Sequence, residues 1–325
     1  MRRLISLFAC AMLLAFAVTS HAAETNWPTK PVRFIIGVPT GSQPDLVARI
    51  VSDKLSQSLG QQFIVENVAG GGGLIATSKA AHAAPDGYTF YLGGLSVVAT
   101  DKWMFKNLPY DPDKDFVPVA LLSDANAFVL AAHPSVDAKN IPDLIKLAKA
   151  EPGKLSFGFS QIGVVTLIGP WFNTLAGTDM VGIPYKDTGA MLQDTVSGRI
   201  QMTFTTFDAV QPYLDNKSLR PLGETSPQRV PGHDDVQAIA ETLPGYRVQG
   251  FTIVFAPTGT SPDIIAKLNH AIDPIVKDKA YVDRLLSYGT TIRGGAGTPE
   301  SIAAFEKTER ENWANIFTKL KYEAQ

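Results

Sequence analysis

Apolar and polar positions along this chain fall into short blocks that predict strands followed by helices. Phe34, Ile35 and Ile36 form a compact apolar run, and a segment rich in glycine, proline and serine, 37–44, follows it. Apolar residues then recur at helical spacing through segment 46–59. A strand, a tight loop and a helix start form a layout in which backbone amides point toward a ligand.

The same alternation continues and predicts further α/β units. Strands are predicted at 62–66, 88–92, 119–122, 128–132, 155–158, 201–204, 219–223 and 246–255. Helices are predicted at 74–84, 141–150, 263–276, 279–288 and 299–319. This order is typical of mostly parallel sheets with helices on both faces, in which ligands bind at the carboxyl ends of the strands.

The first loop has the sequence features of an anion site. Ser42 to Asp45 fits the S-x-x-D signature that satisfies the first free amides of a helix, and Pro44 has no N–H to satisfy. Gly41 is expected to let the backbone come close to a ligand. Free amides and the helix dipole would then hold an anion without Lys or Arg. Taken alone, this loop is explained more readily as an ordinary α/β turn, so the rest of the chain has to decide.

The N-terminus has the pattern of a secretory signal peptide. A basic start precedes an apolar run, 4–18, and the small residues Ser20 and Ala22, which predicts cleavage after Ala22 and export to the periplasm. The run is shorter than the roughly 20 residues that span a membrane. Cys10, the single cysteine, lies in this segment, and simple export is favoured over lipidation there. The exported chain then has no disulfide, Cys-ligated zinc or cysteine nucleophile.

Charge and motif spacing exclude several function classes. The net charge of −2 becomes about −4 once the basic start is removed, which argues against nucleic-acid or anionic-membrane partners. The glycine pattern at 71–76 imitates a dinucleotide fingerprint, but no acidic residue closes the next strand, so we predict no cofactor. The histidines after the signal are not at metal-ligand spacing, so we predict no metal. The pattern Gly158-x-Ser160-x-Ile162 lacks the final glycine of a nucleophile elbow.

Several strings occur together in one order and point to a family. They are Glu66-Asn67 before a glycine run, APDGYT at 84–89, LPYDP at 108–112, KDF at 114–116, IPYK at 183–186, LPGY at 243–246 and APTGT at 256–260. The chain resembles the Bug-type periplasmic solute-binding receptors of the tripartite tricarboxylate transporters. The resemblance covers essentially all of the chain after residue 22.

The resemblance implies a two-lobed periplasmic-binding-protein fold, or Venus flytrap, in which each lobe is a mostly parallel sheet flanked by helices. Lobe 1 would be 24–124 plus 250–325, and lobe 2 would be 125–249. A monomer would hold a small-molecule carboxylate between the lobes and deliver it to integral-membrane transporter subunits, without making or breaking a bond. Two alternatives stay open, namely a receptor that presents its ligand to a membrane sensor and a periplasmic hydrolase.

Carried over by position, the resemblance implies ligand contacts from four loops. The first loop contributes Val38, Pro39, Thr40, Gly41, Ser42, Gln43 and Asp45, and the loop after the third strand contributes Gly94, Leu95 and Ser96. Lobe 2 contributes Ser160, Gln161, Gly163, Val164, Val165 and Thr166 from one loop, and Thr205, Phe207 and Asp208 from a second loop at a strand end. Relatives usually have an Asp at position 205, where it pairs with an amino or hydroxyl group of the ligand. We expect Asp45 to cap its helix and not to contact the ligand carboxylate.

Apolar residues predict what kind of carboxylate is bound. The apolar residues expected in the cleft are Val38, Leu95, Val97, Val98, Ile162, Val164, Val165 and Phe207. Such walls favour an aromatic or otherwise hydrophobic carboxylate, for example one resembling terephthalate. Citrate-like and amino-acid ligands are disfavoured, because their hydroxyl or ammonium groups would be buried without partners. Elsewhere, we expect Trp171 and Phe172 in the core, and Glu306, Lys307, Glu309 and Arg310 on a solvated helix face.

Overall fold

The structure is a computed structural model that describes residues 26–160 and 163–324. The predicted signal peptide with Cys10, and the loop residues Gln161 and Ile162, lie outside the described residues. Across the two described ranges, every helix is too short or too polar to cross a membrane.

Strands and helices alternate along most of the chain, as the sequence pattern predicts. The strands are β1 (Val32–Ile36), β2 (Phe63–Asn67), β3 (Thr89–Gly94), β4 (Phe116–Ala132), β5 (Ser156–Ser160), β6 (Val181–Tyr185), β7 (Met202–Thr206), β8 (Arg220–Glu224), β9 (Gln249–Pro257) and β10 (Thr290–Thr291). The helices are α1 (Gln43–Leu59), α2 (Leu74–Ala81), α3 (Asp101–Met104), α4 (Ile141–Ala150), α5 (Val165–Ala176), α6 (Thr188–Val196), α7 (Phe207–Asp215), α8 (Pro262–Lys277), α9 (Lys279–Leu286) and α10 (Pro299–Leu320).

The strands are connected in the order β2-β1-β3-β9-β4-β7-β5-β6, and β8 and β10 also pair with β4. In lobe 1, β1 is parallel to both β2 and β3, while β9 is antiparallel to β3. In lobe 2, β5 is parallel to both β6 and β7, while β4 is antiparallel to β7. Each lobe therefore has a parallel centre, and antiparallel strands connect the two lobes.

Strand β4 is longer than the sequence pattern predicts. Two strands were expected at 119–122 and 128–132, but one strand of 17 residues covers both. The polar link between them stays in the sheet, because Asn126 pairs with Gly250 and Ala127 pairs with Gln249 on β9. From Phe128 onward the partner is β7. The lobe boundaries at 124/125 and 249/250 stay a prediction, and this change of partner lies close to both of them.

Helix α10 corrects one prediction about charge. Its buried residues include Ile302, Glu306, Glu309, Trp313 and Ile316, spaced alternately four and three residues apart, so the two glutamates lie on the buried stripe. Glu309 is 0% exposed and forms an ion pair with Arg247. Burial raises the pKa of Glu309, and the Arg247 guanidinium opposes that rise. The predicted solvated face is therefore wrong for Glu306 and Glu309.

The prediction of a core position is confirmed for two aromatic residues of α5. Trp171 is 1% exposed and Phe172 is 0% exposed. The ring of Phe172 packs edge-on against Tyr246, which immediately precedes the second connection between the lobes. Helix α5 is thus anchored beside the connecting strands, and its first residues lie at the cleft.

Candidate functional site

The loop between β1 and α1 is organised by the buried carboxylate of Asp45. Its oxygens accept hydrogen bonds from the amide of Gly41 (2.8 Å), from Asn67 Nδ2 (2.8 Å) and from Arg49, whose Nε and Nη2 each lie 3.0 Å away. Burial alone would raise the pKa of Asp45, but the hydrogen bonds from Arg49, Gly41 and Asn67 together hold it below its ordinary value. Asp45 is therefore fully occupied by its own lobe.

Two details of this loop differ from the sequence prediction. Ser42 is the N-cap residue, but its hydroxyl donates to the Pro39 carbonyl oxygen (2.7 Å), and Asp45 bonds to Gly41 instead of Ser42, so the predicted capping arrangement is wrong. The close backbone approach occurs at Gly37, where a Cβ would lie 2.9 Å from Gly73 Cα. Gly41 is required for its φ of +83°, and a Cβ there would meet nothing within 4 Å.

Strand β3 is followed almost directly by a helical turn. A π-helical turn (Ser96–Thr100) follows Leu95 and continues directly into α3. A Cβ at Gly94 would overlap the carbonyl oxygen of Phe251 on β9, so only glycine fits there. The first amides of a helical turn have no partner within it, which leaves the Leu95 and Ser96 end suited to an anion. Val97 and Val98, predicted to face the cleft, are each 2% exposed and belong to the core.

In lobe 2, one predicted loop is present and one is replaced by regular structure. Gly163 has a φ of +70°, and its carbonyl oxygen accepts the Thr166 hydroxyl (2.8 Å) at the start of α5. The predicted loop at 205–208 is wrong, because the β-branched run continues β7 through Thr206 and α7 starts at Phe207. Phe207 is 0% exposed and its ring stacks on His233, with 4.1 Å between centroids.

Two adjoining cavities lie between the lobes, where these segments meet. The first is about 310 Å³ and is lined by Ile36, Gly37, Val38, Pro44, Gly72, Gly73, Tyr91, Leu92, Gly93, Gly94, Leu95, Ser96, Phe128, Val164, Gly250, Phe251 and Thr252. The second is about 530 Å³ and is lined by Gly71, Gly72, Leu74, Leu95, Ser96, Thr100, Asp101, Met104, Phe105, Gly163, Val164, Val165, Thr166 and Tyr322. They share the lining residues Gly72, Leu95, Ser96 and Val164, so the two cavities are adjacent.

The cavities bring together part of the predicted site. The predicted residues that line them are Val38, Gly94, Leu95, Ser96, Gly163, Val164, Val165 and Thr166. The other described members of the predicted set lie outside both linings, namely Pro39, Thr40, Gly41, Ser42, Gln43, Asp45, Ser160, Thr205, Phe207 and Asp208. Asp45 and Phe207 are buried, whereas Asp208 is exposed on α7. A contact between ligand and any of these residues stays a prediction.

Sequence reasoning missed several lining residues. Phe128 and Phe251 lie on the connecting strands β4 and β9, where a strand pattern cannot say which face meets the other lobe. Leu74, Met104 and Phe105 line the second cavity, and Tyr322 approaches it from the segment after α10. Leu74 could have been found from the glycine run that precedes it, because that run also lines the cavity.

The lining is almost entirely uncharged. Asp101 is the single charged side chain among the described lining residues, and it is 6% exposed. Its Oδ2 accepts the Tyr110 hydroxyl at 2.6 Å. Burial raises the pKa of Asp101, and the hydrogen bond from Tyr110 opposes that rise. Within 26–160 and 163–324, no three histidine, cysteine, aspartate or glutamate residues are grouped so as to hold a metal ion.

Curated proteins resemble the chain over nearly its full length. A protein of the tcbD-tcbE intergenic region of Pseudomonas sp. (strain P51) is 32% identical over 96% of this chain and 94% of its own length. Protein BugT of Bordetella pertussis is 30% identical over 97% of both chains.

Solved structures share the fold, and two of them contain carboxylates. Rpa4515 of R. palustris, solved with adipate, is 29% identical with a TM-score of 0.79, over 92% of this chain and 100% of that one. MatC of Rhodopseudomonas palustris, solved with bound malate, is 29% identical with a TM-score of 0.73. The match covers 89% of this chain and 99% of MatC. The family described as "Tripartite tricarboxylate transporter family receptor" matches residues 47–321. The chain therefore belongs to the receptor family of the tripartite tricarboxylate transporters, and the members of this family are solute-binding proteins.

Proposed function

We propose that this receptor captures a carboxylate with an aromatic or otherwise apolar body between its two lobes and delivers it to the membrane subunits of a tripartite tricarboxylate-type transporter. The observation that carries the proposal is the lining of the two cavities, which combines loop backbone and apolar side chains with one charged residue. The adipate in Rpa4515 and the malate in MatC support a carboxylate as the bound group.

The carboxylate of the ligand is held by backbone amides and hydroxyls, since no Lys or Arg is found among the described lining residues. Four chain segments contribute backbone to the cavity walls, at 36–38, 71–73, 93–96 and 163–166. Three of them lead into a helix or helical turn, and the amides of a helix start together with its dipole stabilise an anion. The hydroxyls of Ser96 and Thr252 add further donors.

The body of the ligand packs against the apolar walls. Phe128 and Phe251 face the first cavity, and Leu74, Met104 and Phe105 face the second. Burial of apolar surface contributes about 25 cal/mol per Å², which amounts to a few kcal/mol for a benzene-sized group. An aromatic carboxylate such as terephthalate is therefore favoured in shape and polarity over citrate. Citrate would instead bring three carboxylates into linings whose described residues include no Lys or Arg.

Binding closes the two lobes, and no bond is made or broken. Ligand contacts both lobes at once only in the closed arrangement, so its higher affinity for that arrangement drives closure. Val164 lines both cavities from lobe 2, while Leu95 and Ser96 do so from lobe 1, so a bound ligand connects the lobes. The receptor works as an exported monomer in the periplasm, without cofactor or metal.

A thermal-shift screen tests the proposal. The exported form, beginning at Ala23, is heated with aromatic and aliphatic mono-, di- and tricarboxylates. A ligand at about a hundred times its dissociation constant adds roughly 2.7 kcal/mol, which is a shift of several degrees. We expect the largest shift from an aromatic carboxylate. A response to citrate or to amino acids alone would leave a receptor but contradict the proposed ligand class.

A pair of charge-adding variants locates the binding. Val165→Asp adds a carboxylate to the wall of the second cavity and should abolish the shift. Val181→Asp adds the same charge to β6, where Val181 is 42% exposed and lies outside both linings, and should leave the shift unchanged.

A further inference from the structure

Asp101 is a buried carboxylate with few partners, and it lies on the wall of a cavity. Among the described residues, it accepts a hydrogen bond from the Tyr110 hydroxyl (2.6 Å) and takes part in no ion pair. Asp45, by contrast, is 0% exposed but accepts hydrogen bonds from a guanidinium, a side-chain amide and a backbone amide. Buried carboxylates are costly unless donors surround them, so the position of Asp101 beside open space calls for a donor from outside the chain.

Asp101 lies at the opposite end of a helical segment from the proposed anion site. Leu95 and Ser96 begin that segment and line both cavities, whereas Asp101 lines the second cavity alone. Asp101 follows Leu95 by six positions, which at the α-helical rise gives an upper bound of roughly 9 Å for this largely π-helical segment. That distance leaves room for an aromatic ring with one substituent toward each end. The lining of the second cavity also includes Leu74 and Val165, which are apolar.

We propose that Asp101 determines ligand specificity by accepting a hydrogen bond from a hydroxyl or amino group at the end of the ligand remote from its carboxylate. This inference rests on the proposed function, because it assumes that an aromatic carboxylate occupies both cavities. The ligand class is thereby narrowed to aromatic monocarboxylates with a distal hydrogen-bond donor. A second carboxylate at the distal end would lie against the Asp101 carboxylate without an intervening cation.

The test compares four benzoates that differ at the para position. Dissociation constants of the unmodified receptor are measured by calorimetry for 4-methylbenzoate, 4-hydroxybenzoate, 4-(aminomethyl)benzoate and terephthalate. The two acids with a distal donor should bind about tenfold or more tightly than 4-methylbenzoate, because a hydrogen bond to a charged acceptor replaces an apolar contact. Terephthalate should bind more weakly than either of them.

Variants then assign the effect to one carboxylate. Asp101→Asn removes the charge and keeps the size, so it should lower the preference for 4-(aminomethyl)benzoate about tenfold and strengthen terephthalate binding. Asp53→Asn makes the same charge change on the exposed face of α1, outside both linings, and should alter none of the four affinities. The comparison of ligands on the unmodified protein stands even if Asp101→Asn folds poorly.

The outcomes separate this inference from the proposed function. If 4-methylbenzoate binds and the donor-bearing acids bind no more tightly, the specificity role of Asp101 is wrong and the proposed function stands. If terephthalate binds most tightly of the four, the role of Asp101 is likewise overturned. If none of the four binds but an aliphatic carboxylate does, the inference is wrong and the proposed receptor function stands. If no carboxylate of either kind binds, both are wrong.

Discussion

Two strand-to-helix junctions of lobe 1 each bury an aspartate beside the cleft. At the junction of β1 and α1, Asp45 accepts hydrogen bonds from Gly41, Arg49 and Asn67, and its pKa lies below the ordinary value. At the junction after β3, Asp101 accepts one from Tyr110, and its pKa is raised. The first carboxylate holds a loop together, and the second lies on a cavity wall. The partners of a buried charge, more than its place in the sequence, therefore indicate whether it serves structure or ligand.

The glycines of the two junctions also have different roles. Gly41 in the first junction has a left-handed φ and open space around the position of a Cβ. Gly94 in the second has no such φ, but a Cβ there would overlap the backbone of Phe251 on the neighbouring strand. Gly41 is needed for its backbone conformation and Gly94 for a close contact between strands. The loss of stability on substitution should therefore differ between the two positions, and so should the effect on ligand binding.

The largest effect is expected at Gly94. Gly94→Ala forces β3 and β9 apart where they pair beside the first cavity, and we expect a loss of about 3 kcal/mol in unfolding free energy. Ligand affinity should fall as well, because Gly94 and Phe251 both line that cavity. Urea denaturation checks the first effect and calorimetry the second. Gly250→Ala is the matched control on β9, where the nearest atom to a Cβ is 3.4 Å away, and it should cost less than about 1 kcal/mol.

The next largest loss of stability is expected at Asp45, and Asp101 provides the comparison. Asp45→Asn removes the charge that Arg49 and the Gly41 amide share, and we expect it to lower the unfolding free energy by 2 to about 3 kcal/mol. Asp101→Asn keeps an acceptor for Tyr110 and removes a poorly compensated buried charge, so its stability should change by less than about 1 kcal/mol. Equal losses at both positions would mean that Asp101 is as structural as Asp45.

Local patterns were enough to predict most elements of the fold. The apolar runs around Phe34 and Phe90 became strands, and the helical spacing after Leu46 became α1, because these signals depend on near neighbours along the chain. Glu309 was misplaced on a solvated face, since its burial is set by Arg247, which lies 62 positions earlier. The continuity of β4 through Asn126 likewise depends on pairing with β9 and cannot be read from β4 alone.

The site was predicted less completely than the fold. The loops at Leu95 and Val164 were identified through the family resemblance, and they do line the cavities. Phe207 was expected in the cleft, but it is buried in a hydrophobic cluster with Val129 and Val210, and its ring stacks on His233. No spacing along the chain reveals these contacts. Asp101 carries no motif, so only its burial and the cavity beside it draw attention to it.

A buried carboxylate of lobe 2, Glu224, makes the stability of the fold depend on pH. Glu224 is 0% exposed and accepts bonds from the Ser226 hydroxyl (2.7 Å) and the Val230 amide (2.8 Å), yet burial raises its pKa to about 7. Because the folded state holds this proton more tightly than the unfolded state, the stabilisation is complete below about pH 4.5 and is lost as pH rises through about 7.

Glu224→Gln should therefore flatten the pH profile of stability. Between pH 5 and pH 8 the unmodified protein should lose about 2 kcal/mol more than the variant, measured by urea denaturation at each pH. Asp53→Asn serves as the control, because that exposed side chain should leave the profile unchanged. Parallel profiles for the unmodified protein and Glu224→Gln would show that the two neutral donors keep Glu224 ionised in the folded state.

The smallest effect is expected at Gly41, and it tests the first junction directly. Gly41→Ala places a side chain at a φ of +83° with no clash, so the cost is that of the left-handed backbone, about 1 kcal/mol in unfolding free energy. Affinity for the best aromatic carboxylate should stay within about twofold, because Gly41 lies outside both cavity linings and its amide is bound to Asp45. Gly60→Ala, at the other end of α1 with a φ of +69° and equally open space, should give the same stability loss. If Gly41→Ala lowers affinity tenfold while Gly60→Ala does not, the ligand reaches the first loop, and the contrast between the two junctions would lie in stability alone.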